Sequence, residues 1–344
     1  MSDAILDQIR EIIQRDVNNR GLARDPKDNL FTRCRDDFAN ACRSIAETPQ
    51  PSVAVVTGFF IPHAQPPCGE TDGPLGGIFL ARALTSIEMN VALVTDSFCR
   101  QALETGLQAC DLETTVSILV LPAEASSFPR SAWERKPGRS AARPARGQDA
   151  TQSVANVRSH EERGNEREMG TTHLLALERV GPGSDGRCHN MHGRDVSDEM
   201  CPAHLLFDDI ARQSPPFCTI GIGDGGNEIG MGKIPADVIA CNIPNGERIA
   251  CRVPTDHLIV AGVSNWGAYA LAAGVAVLRG QRLPASLFDV ERERELLQIM
   301  VEQGPLVDGV TAKQTVSVDG LAFDDYAEPL RRIGELLEKE RWLT

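Results

Sequence analysis

From Pro51 onward the chain alternates short β-branched runs with helical periods, and this alternation limits the fold more than any other feature. Strands are expected at 53–57 (VAVVT), 91–95 (VALVT), 115–121 (TVSILVL), 173–177 (HLLAL), 217–222 and 257–261 (HLIVA). Between them the apolar spacing predicts helices over 74–89, 98–110, 203–213 and 266–278, and further helices close the chain at 290–303 and 324–339. Strands joined by helices of this length imply right-handed crossovers and a mainly parallel sheet. The strands read as unbroken apolar runs, as expected when helices cover both faces of the sheet. The prediction is an α/β fold in three layers, a mainly parallel sheet flanked by helices in a Rossmann-like arrangement.

The rest of the chain fits around this unit. Residues 1–50 form an N-terminal helical segment, with Ile5, Ile9, Ile12 and Ile13 on one helical face, and 51–344 form the α/β domain. Residues 127–168 interrupt the pattern: nine basic and six acidic side chains, few large apolar ones and no periodicity. Low hydrophobicity with Arg, Pro, Gly and Ser predicts a disordered insertion, a surface feature outside the fold and the site. Its run FPRSAWERKPGRSA also resembles translated bacterial repeat elements.

Charge and cysteine usage exclude several classes. The formal net charge of −13 gives no basic face for nucleic acid or an anionic membrane, so neither is an expected partner. The ten cysteines are scattered without a C-x-x-C pair, unlike a secreted disulfide scaffold. The N-terminus mixes acids with its arginines and lacks the apolar core of a signal peptide, so a cytoplasmic location is expected. A soluble enzyme or small-ligand binder remains, with a homo-oligomer left open.

In open parallel sheets, ligands bind beyond the carboxyl ends of the strands. After the first strand lies Gly69-Glu70-Thr71-Asp72-Gly73-Pro74. Pro74 suits the first turn of a helix, with Asp72 or Gly73 as its cap. Glu70, an acid in a Gly/Pro loop, is a candidate for holding a metal or an amine. The second strand ends at Asp96, another expected cap.

The strongest local signal is 219–233 (TIGIGDGGNEIGMGK). Gly223, Gly225 and Gly226 would bring backbone N–H groups close to an anionic ligand. Gly221, Gly223 and Gly226 match G-x-G-x-x-G formally, but no amphipathic helix follows and Pro235 arrives soon after. There is also no G-x-x-x-x-G-K-[ST] loop, so no nucleotide is expected. Asp224, Asn227 and Glu228 set oxygen atoms within one tight turn, which suits Mg²⁺ or Mn²⁺. After the last strand, Ser264 is expected to cap a helix whose free N–H groups would favour a carboxylate, with Asn265 beside it. Cys188, His189 and His192 have no standard zinc spacing and read as a solvated loop.

TGFFIP, GETDGPLG, VALVTD, TIGIGDGGNEIGMG, AGVSNWGAYALAAG and VDGVT (307–311), in that order, resemble the C-terminal domain of the D-glutamate cyclase family. The resemblance covers roughly 51–121 and 170–330. It implies cyclisation of D-glutamate to 5-oxo-D-proline with loss of water, a hydro-lyase activity on a small acidic substrate. In the family this domain is joined to a hydro-lyase-like domain that the 344 residues do not include. The chemistry demands a base for the ammonium and a cation to neutralise the γ-carboxylate. Glu70 and Asp224 are the candidates for base or metal duty, with Lys233 or Arg252 balancing charge. Gly223, Gly225, Gly226, Asn227, Ser264 and Asn265 would bind substrate. Glu70, Asp72, Asp224 and Glu228 would hold a divalent metal, Mg²⁺ or Mn²⁺. Two other readings stay open: a metal-dependent hydrolase or transferase acting on another amino-acid-like acid, and a non-catalytic ligand-binding module for a separate hydro-lyase.

Overall fold

The computed structural model describes residues 2–122, 170–208 and 217–344. The expected insertion at 127–168 lies outside the described residues, as does the second half of the helix predicted at 203–213. The N-terminal segment contains α1 (Ser2–Ile13), α2 (Leu30–Arg33) and α3 (Asp37–Glu47). The alternating region begins β1 (Ser52–Thr57), β2 (Phe60–Ile61), β3 (Cys68–Gly69), α4 (Pro74–Ser86), β4 (Asn90–Thr95), α5 (Ser97–Gln108) and β5 (Ser117–Val120). It continues with β6 (His173–Leu177), α6 (Leu205–Asp208), β7 (Cys218–Gly223), α7 (Ala236–Asn242), α8 (Gly246–Ile249), β8 (His257–Val260) and α9 (Ser264–Arg279). The C-terminal part holds α10 (Val290–Gln303), the hairpin strands β9 (Ser317–Val318) and β10 (Leu321–Ala322), α11 (Phe323–Tyr326) and α12 (Glu328–Lys339).

Six strands form one sheet in the order β5-β4-β1-β6-β7-β8, every neighbouring pair parallel. The chain moves outward from β1 to β5, then returns to the far side of β1 and moves outward again to β8. This is the Rossmann strand order, and the reversal opens a crevice between β1 and β6 at their carboxyl ends. Period-2 alternation feeds two cores: Val53 and Val55 face one, Ala54 and Val56 the other. That is why the strands read as continuous apolar runs rather than as alternating ones.

Helix α9 is apolar on all sides because it is buried on all sides, from Ser264 to Val277. Its small residues allow close approach: a Cβ on Gly267 would stand 2.4 Å from Ile222 Cγ2, and one on Gly274 2.5 Å from Cys42 Sγ. The N-terminal segment joins the same core. Ile5, Leu6, Ile9, Ile12 and Ile13 are buried there, each contributing about 1.5–3 kcal/mol on full burial. After α1, residues 14–21 cross the carboxyl end of the sheet as a strap. Gly262 N–H donates to Ile13 O (2.9 Å), and the Asn18 amide donates to Asp319 O (3.1 Å).

Candidate active site

Four acidic residues gather where β1, β6 and β7 end. Glu70 and Asp72 come from the loop between β3 and α4, Glu178 directly follows β6, and Asp224 directly follows β7. Glu228 turns back from the loop after β7, and Asp319 enters from the turn between β9 and β10. All six carboxyl groups are buried, none more than 8% exposed. Glu178 holds a left-handed φ of +45°, a backbone state that non-glycine residues adopt only when their surroundings impose it.

Two helices begin at this point, and each is capped by a residue from the other's entrance. Helix α9 starts with free N–H groups, and Asp72 accepts from Ser264 N–H (2.9 Å) and Asn265 N–H (2.8 Å). Asn265 Oδ1 in turn accepts from Gly73 N–H (2.9 Å) and Gly76 N–H (2.8 Å) at the start of α4. The exchange needs close contact, since a Cβ on Gly76 would stand 2.6 Å from Asn265 Oδ1. It corrects three expectations. Asp72 caps α9 rather than the helix it precedes, Ser264 is the first helical residue rather than the cap, and the N–H groups meant for a substrate carboxylate are taken by Asp72. The Ser264 hydroxyl donates to Glu178 Oε2.

The glycine-rich loop is also committed internally. Glu228 accepts from the N–H groups of Asp224 (2.8 Å), Gly225 (2.6 Å) and Gly226 (2.7 Å). The anion cradled by these amides is the chain's own carboxylate, so Gly225 and Gly226 do not present them to a ligand. Gly223 makes room for the returning side chain: a Cβ there would stand 2.8 Å from Glu228 Cδ. Asn227 secures the neighbouring loop by donating to His189 O (2.9 Å). That loop is less solvated than its sequence suggests, for Cys188 and His189 are buried and His189 pairs with Asp185 at 2.8 Å.

The counter-cation comes from the strap. Arg20, its side chain 15% exposed, bridges Asp224 and Asp319, with 2.8 Å between Nη2 and Asp319 Oδ1. Burial works against its charge, but Asp224, Asp319, Glu178 and Asp72 together lift its pKa above the ordinary value. Lys233 lies at the opposite end of the sheet. Its ammonium meets Asp37 (2.6 Å), whose carboxylate accepts from Leu258 N–H at the start of β8. Arg252 is exposed, and its backbone N–H bonds Pro182 O. A neighbouring ion pair, Arg179 with Asp96 (2.9 Å), is fully buried beside the site, so Asp96 serves Arg179 instead of capping α5.

One guanidinium against so many buried acids leaves excess negative charge, and proton affinities rise accordingly. Burial, then the Asp319 and Asp72 carboxylates, raises the pKa of Glu70. Burial raises Asp72 to about 8 despite its backbone donors. Glu178 is raised by burial and by Glu228, and Asp224 by burial against the pull of Arg20. Among the described residues, Asp72, Asp224 and Asp319, and again Glu178, Asp224 and Glu228, bring carboxylate oxygens within 4.8 Å of one another, a set that could hold a metal ion. Arg20 meets Asp224 Oδ1, while Asp224 Oδ2 has no hydrogen-bond partner. Asp319 Oδ2 lacks one as well. These hard, unsaturated oxygens suit Mg²⁺ or Mn²⁺. Glu228, saturated by three N–H groups, suits a cation less well. Glu70 belongs to neither trio.

The structure brings together Glu70, Asp72, Asp224 and Glu228, which the sequence singled out, and adds Glu178, Asp319 and Arg20, which it did not. Glu178 had a signal, since it follows a strand directly, as do the loops that were singled out. Arg20 had none.

A Rossmann-ordered α/β domain with a buried carboxylate site at the switch point of its sheet defines the class of this protein. The chain belongs to the D-glutamate cyclase-like, C-terminal family, whose family model matches residues 9–334. It is 28% identical over 351 residues to the human protein named D-glutamate cyclase, mitochondrial. That alignment takes in 95% of this chain and 51% of the human protein, so the chain spans about half the length of its relative. Among the described residues, no helix is long and apolar enough to cross a membrane.

Proposed function

We propose that the chain cyclises D-glutamate to 5-oxo-D-proline and water. The observation that carries this reading is a family member's buried carboxylate cluster in which burial raises the proton affinities of Glu70, Asp72, Glu178 and Asp224. The α-ammonium must lose a proton before its nitrogen attacks the γ-carboxyl carbon, and a base with raised pKa does this efficiently. Glu70 is assigned that role. It lies in a loop fixed on both sides, its N–H on Phe59 O (3.0 Å) and the next N–H on Val307 O (2.8 Å). Its carboxylate rests against Gly309, where a Cβ would stand 1.9 Å from Oε2. Glu178, also raised in proton affinity, is assigned to protonate the departing γ-oxygen, which leaves as water.

Asp224 and Asp319, with Asp72 converging on them, would hold a divalent cation, which would neutralise the γ-carboxylate and make its carbon a better electrophile. Ring closure to five members needs the nitrogen held near that carbon, so orientation in the crevice supplies part of the rate. The test incubates purified protein with D- or L-glutamate, with and without Mn²⁺ or Mg²⁺, and follows 5-oxoproline by chiral chromatography. Product from the D isomer alone is expected. Binding of D-glutamate without turnover would mark a ligand-binding module instead, and turnover of a different amino-acid-like acid would mark another reaction class.

A further inference from the structure

The strap at 14–21 has a task that its packing does not explain. Its backbone is tied down at the start by Ile13 O to Gly262 N–H, and its end is folded by Asp16, which accepts from the N–H groups of Arg20 (2.8 Å) and Gly21 (2.9 Å). Gly21, with φ of +101°, turns the chain away at the Asn242 carbonyl, 2.0 Å from where a Cβ would stand. Between these fixed points Arg20 reaches into the site and bridges Asp224 with Asp319. Those are the two residues whose carboxylates converge with that of Asp72.

Three observations mark this as the position of a cation rather than a finished ion pair. Asp224, 1% exposed, has Oδ2 without a donor, and its Oδ1 meets only the Arg20 guanidinium. Asp319 Oδ2 lacks a donor although its other oxygen meets Arg20. The Thr57 hydroxyl, fully buried at the end of β1, is also unpartnered, within 2.6 Å of where a Gly73 Cβ would stand and with Glu178 Cβ 3.0 Å from that point. Buried oxygens in native proteins nearly always have partners, so unpaired carboxylate oxygens of Asp224 and Asp319 beside the guanidinium, with an unpartnered hydroxyl next to Glu178, indicate room for another ligand.

We propose that Arg20 is an exchangeable counter-cation: it holds Asp224 and Asp319 until a divalent cation enters between the carboxylates, displaces the guanidinium and releases the strap. The Asn18 amide, bonded only to a backbone carbonyl of the neighbouring turn, is the catch that lets go with it. The exchange keeps the buried acids neutralised at every stage, which an isolated metal site would not. It also couples access to the crevice with the loading of the cation. The inference rests on the cation-holding role given to the cluster above and does not depend on the reaction.

The test uses Mn²⁺ alone and reads no turnover, so a failure here is distinct from a failure of the cyclase reading. Isothermal titration and Mn²⁺ paramagnetic resonance measure affinity, and hydrogen–deuterium exchange follows residues 14–21. In the wild-type chain Mn²⁺ is expected to bind and to speed exchange of the strap severalfold. Arg20→Met is expected to bind Mn²⁺ at least tenfold more tightly, with a strap already fast to exchange. Should that variant fail to fold, Asn18→Ala, which leaves every carboxylate in place, is expected to tighten binding severalfold. Mn²⁺ binding with unchanged or slower strap exchange would overturn the proposal, as would no Mn²⁺ binding by the wild type, or unaltered or weaker affinity in both variants.

Discussion

Replacing Asn265 with alanine tests the exchanged caps most directly. The side chain accepts two buried N–H groups, those of Gly73 and Gly76, and donates to Thr71 O at 3.3 Å. Alanine leaves Gly76 N–H without a partner and Gly73 N–H with only its 3.0 Å contact to Asp72 Oδ1, inside a buried helix entrance. One orphaned buried donor costs about 1–3 kcal/mol, which sets the expected loss. Against a total stability of about 5–15 kcal/mol, that is a large fraction. Equilibrium unfolding in urea, followed by the fluorescence of buried Trp266, should show a lower midpoint with unchanged slope. Asp72→Ala removes the matching cap from α9 and should cost a similar amount. Gly73 N–H lies within reach of both Asp72 Oδ1 (3.0 Å) and Asn265 Oδ1, so the two substitutions share a donor. The double variant should therefore deviate from additivity by more than about 0.5 kcal/mol. A loss below about 1 kcal/mol for Asn265→Ala, or strict additivity, would refute the idea that the entrances are built as one unit.

Further outcomes follow from the same geometry. Glu70→Gln should lower D-glutamate turnover by about 10²–10⁴-fold, the usual worth of a general base, while thermal stability holds or rises because the neutral amide replaces a carboxyl group whose charged form burial disfavours. Gly309→Ala should push the Glu70 carboxylate aside and cut turnover at least tenfold; since the clash is with the end of a flexible side chain, the melting temperature should move little. His173, buried at the start of β6, has its pKa lowered to about 4 by burial. A histidine whose folded pKa is depressed stabilises fully above the unfolded value of about 6.5 and loses that contribution as pH falls towards 4; the shift is worth about 3 kcal/mol. His173→Gln should therefore flatten the dependence of urea midpoints on pH between 4 and 6.5, and an unchanged slope would show that other groups govern it.

What the sequence disclosed follows the range of the interactions involved. The strands and helices rest on apolar periodicity over a few residues, so VAVVT and VALVT announced β1 and β4, and Pro74 the start of α4. The site's location was legible for the same reason, because the crevice of a parallel sheet lies where its strands end. The bonds that decide each residue's role span far more of the chain. Asp72 and the N–H groups of α9 are 192 and 193 residues apart, and no local pattern could tell an N-cap for α4 from a cap for α9.

The same distinction separates Asp224 from Glu228, two acids in one loop that the sequence treated alike. Glu228 is spent on three amides of its own turn, a local commitment that the glycines at 223, 225 and 226 make possible. Asp224 meets only Arg20, which arrives from a strap about two hundred residues earlier. An acid that its own turn satisfies is part of the scaffold, whereas an acid left to a distant, displaceable cation is available for chemistry. By that criterion Asp224 and Asp319 are available for chemistry, Asp72 and Glu228 hold the frame, and Arg20 is the cation whose displacement the proposed exchange requires.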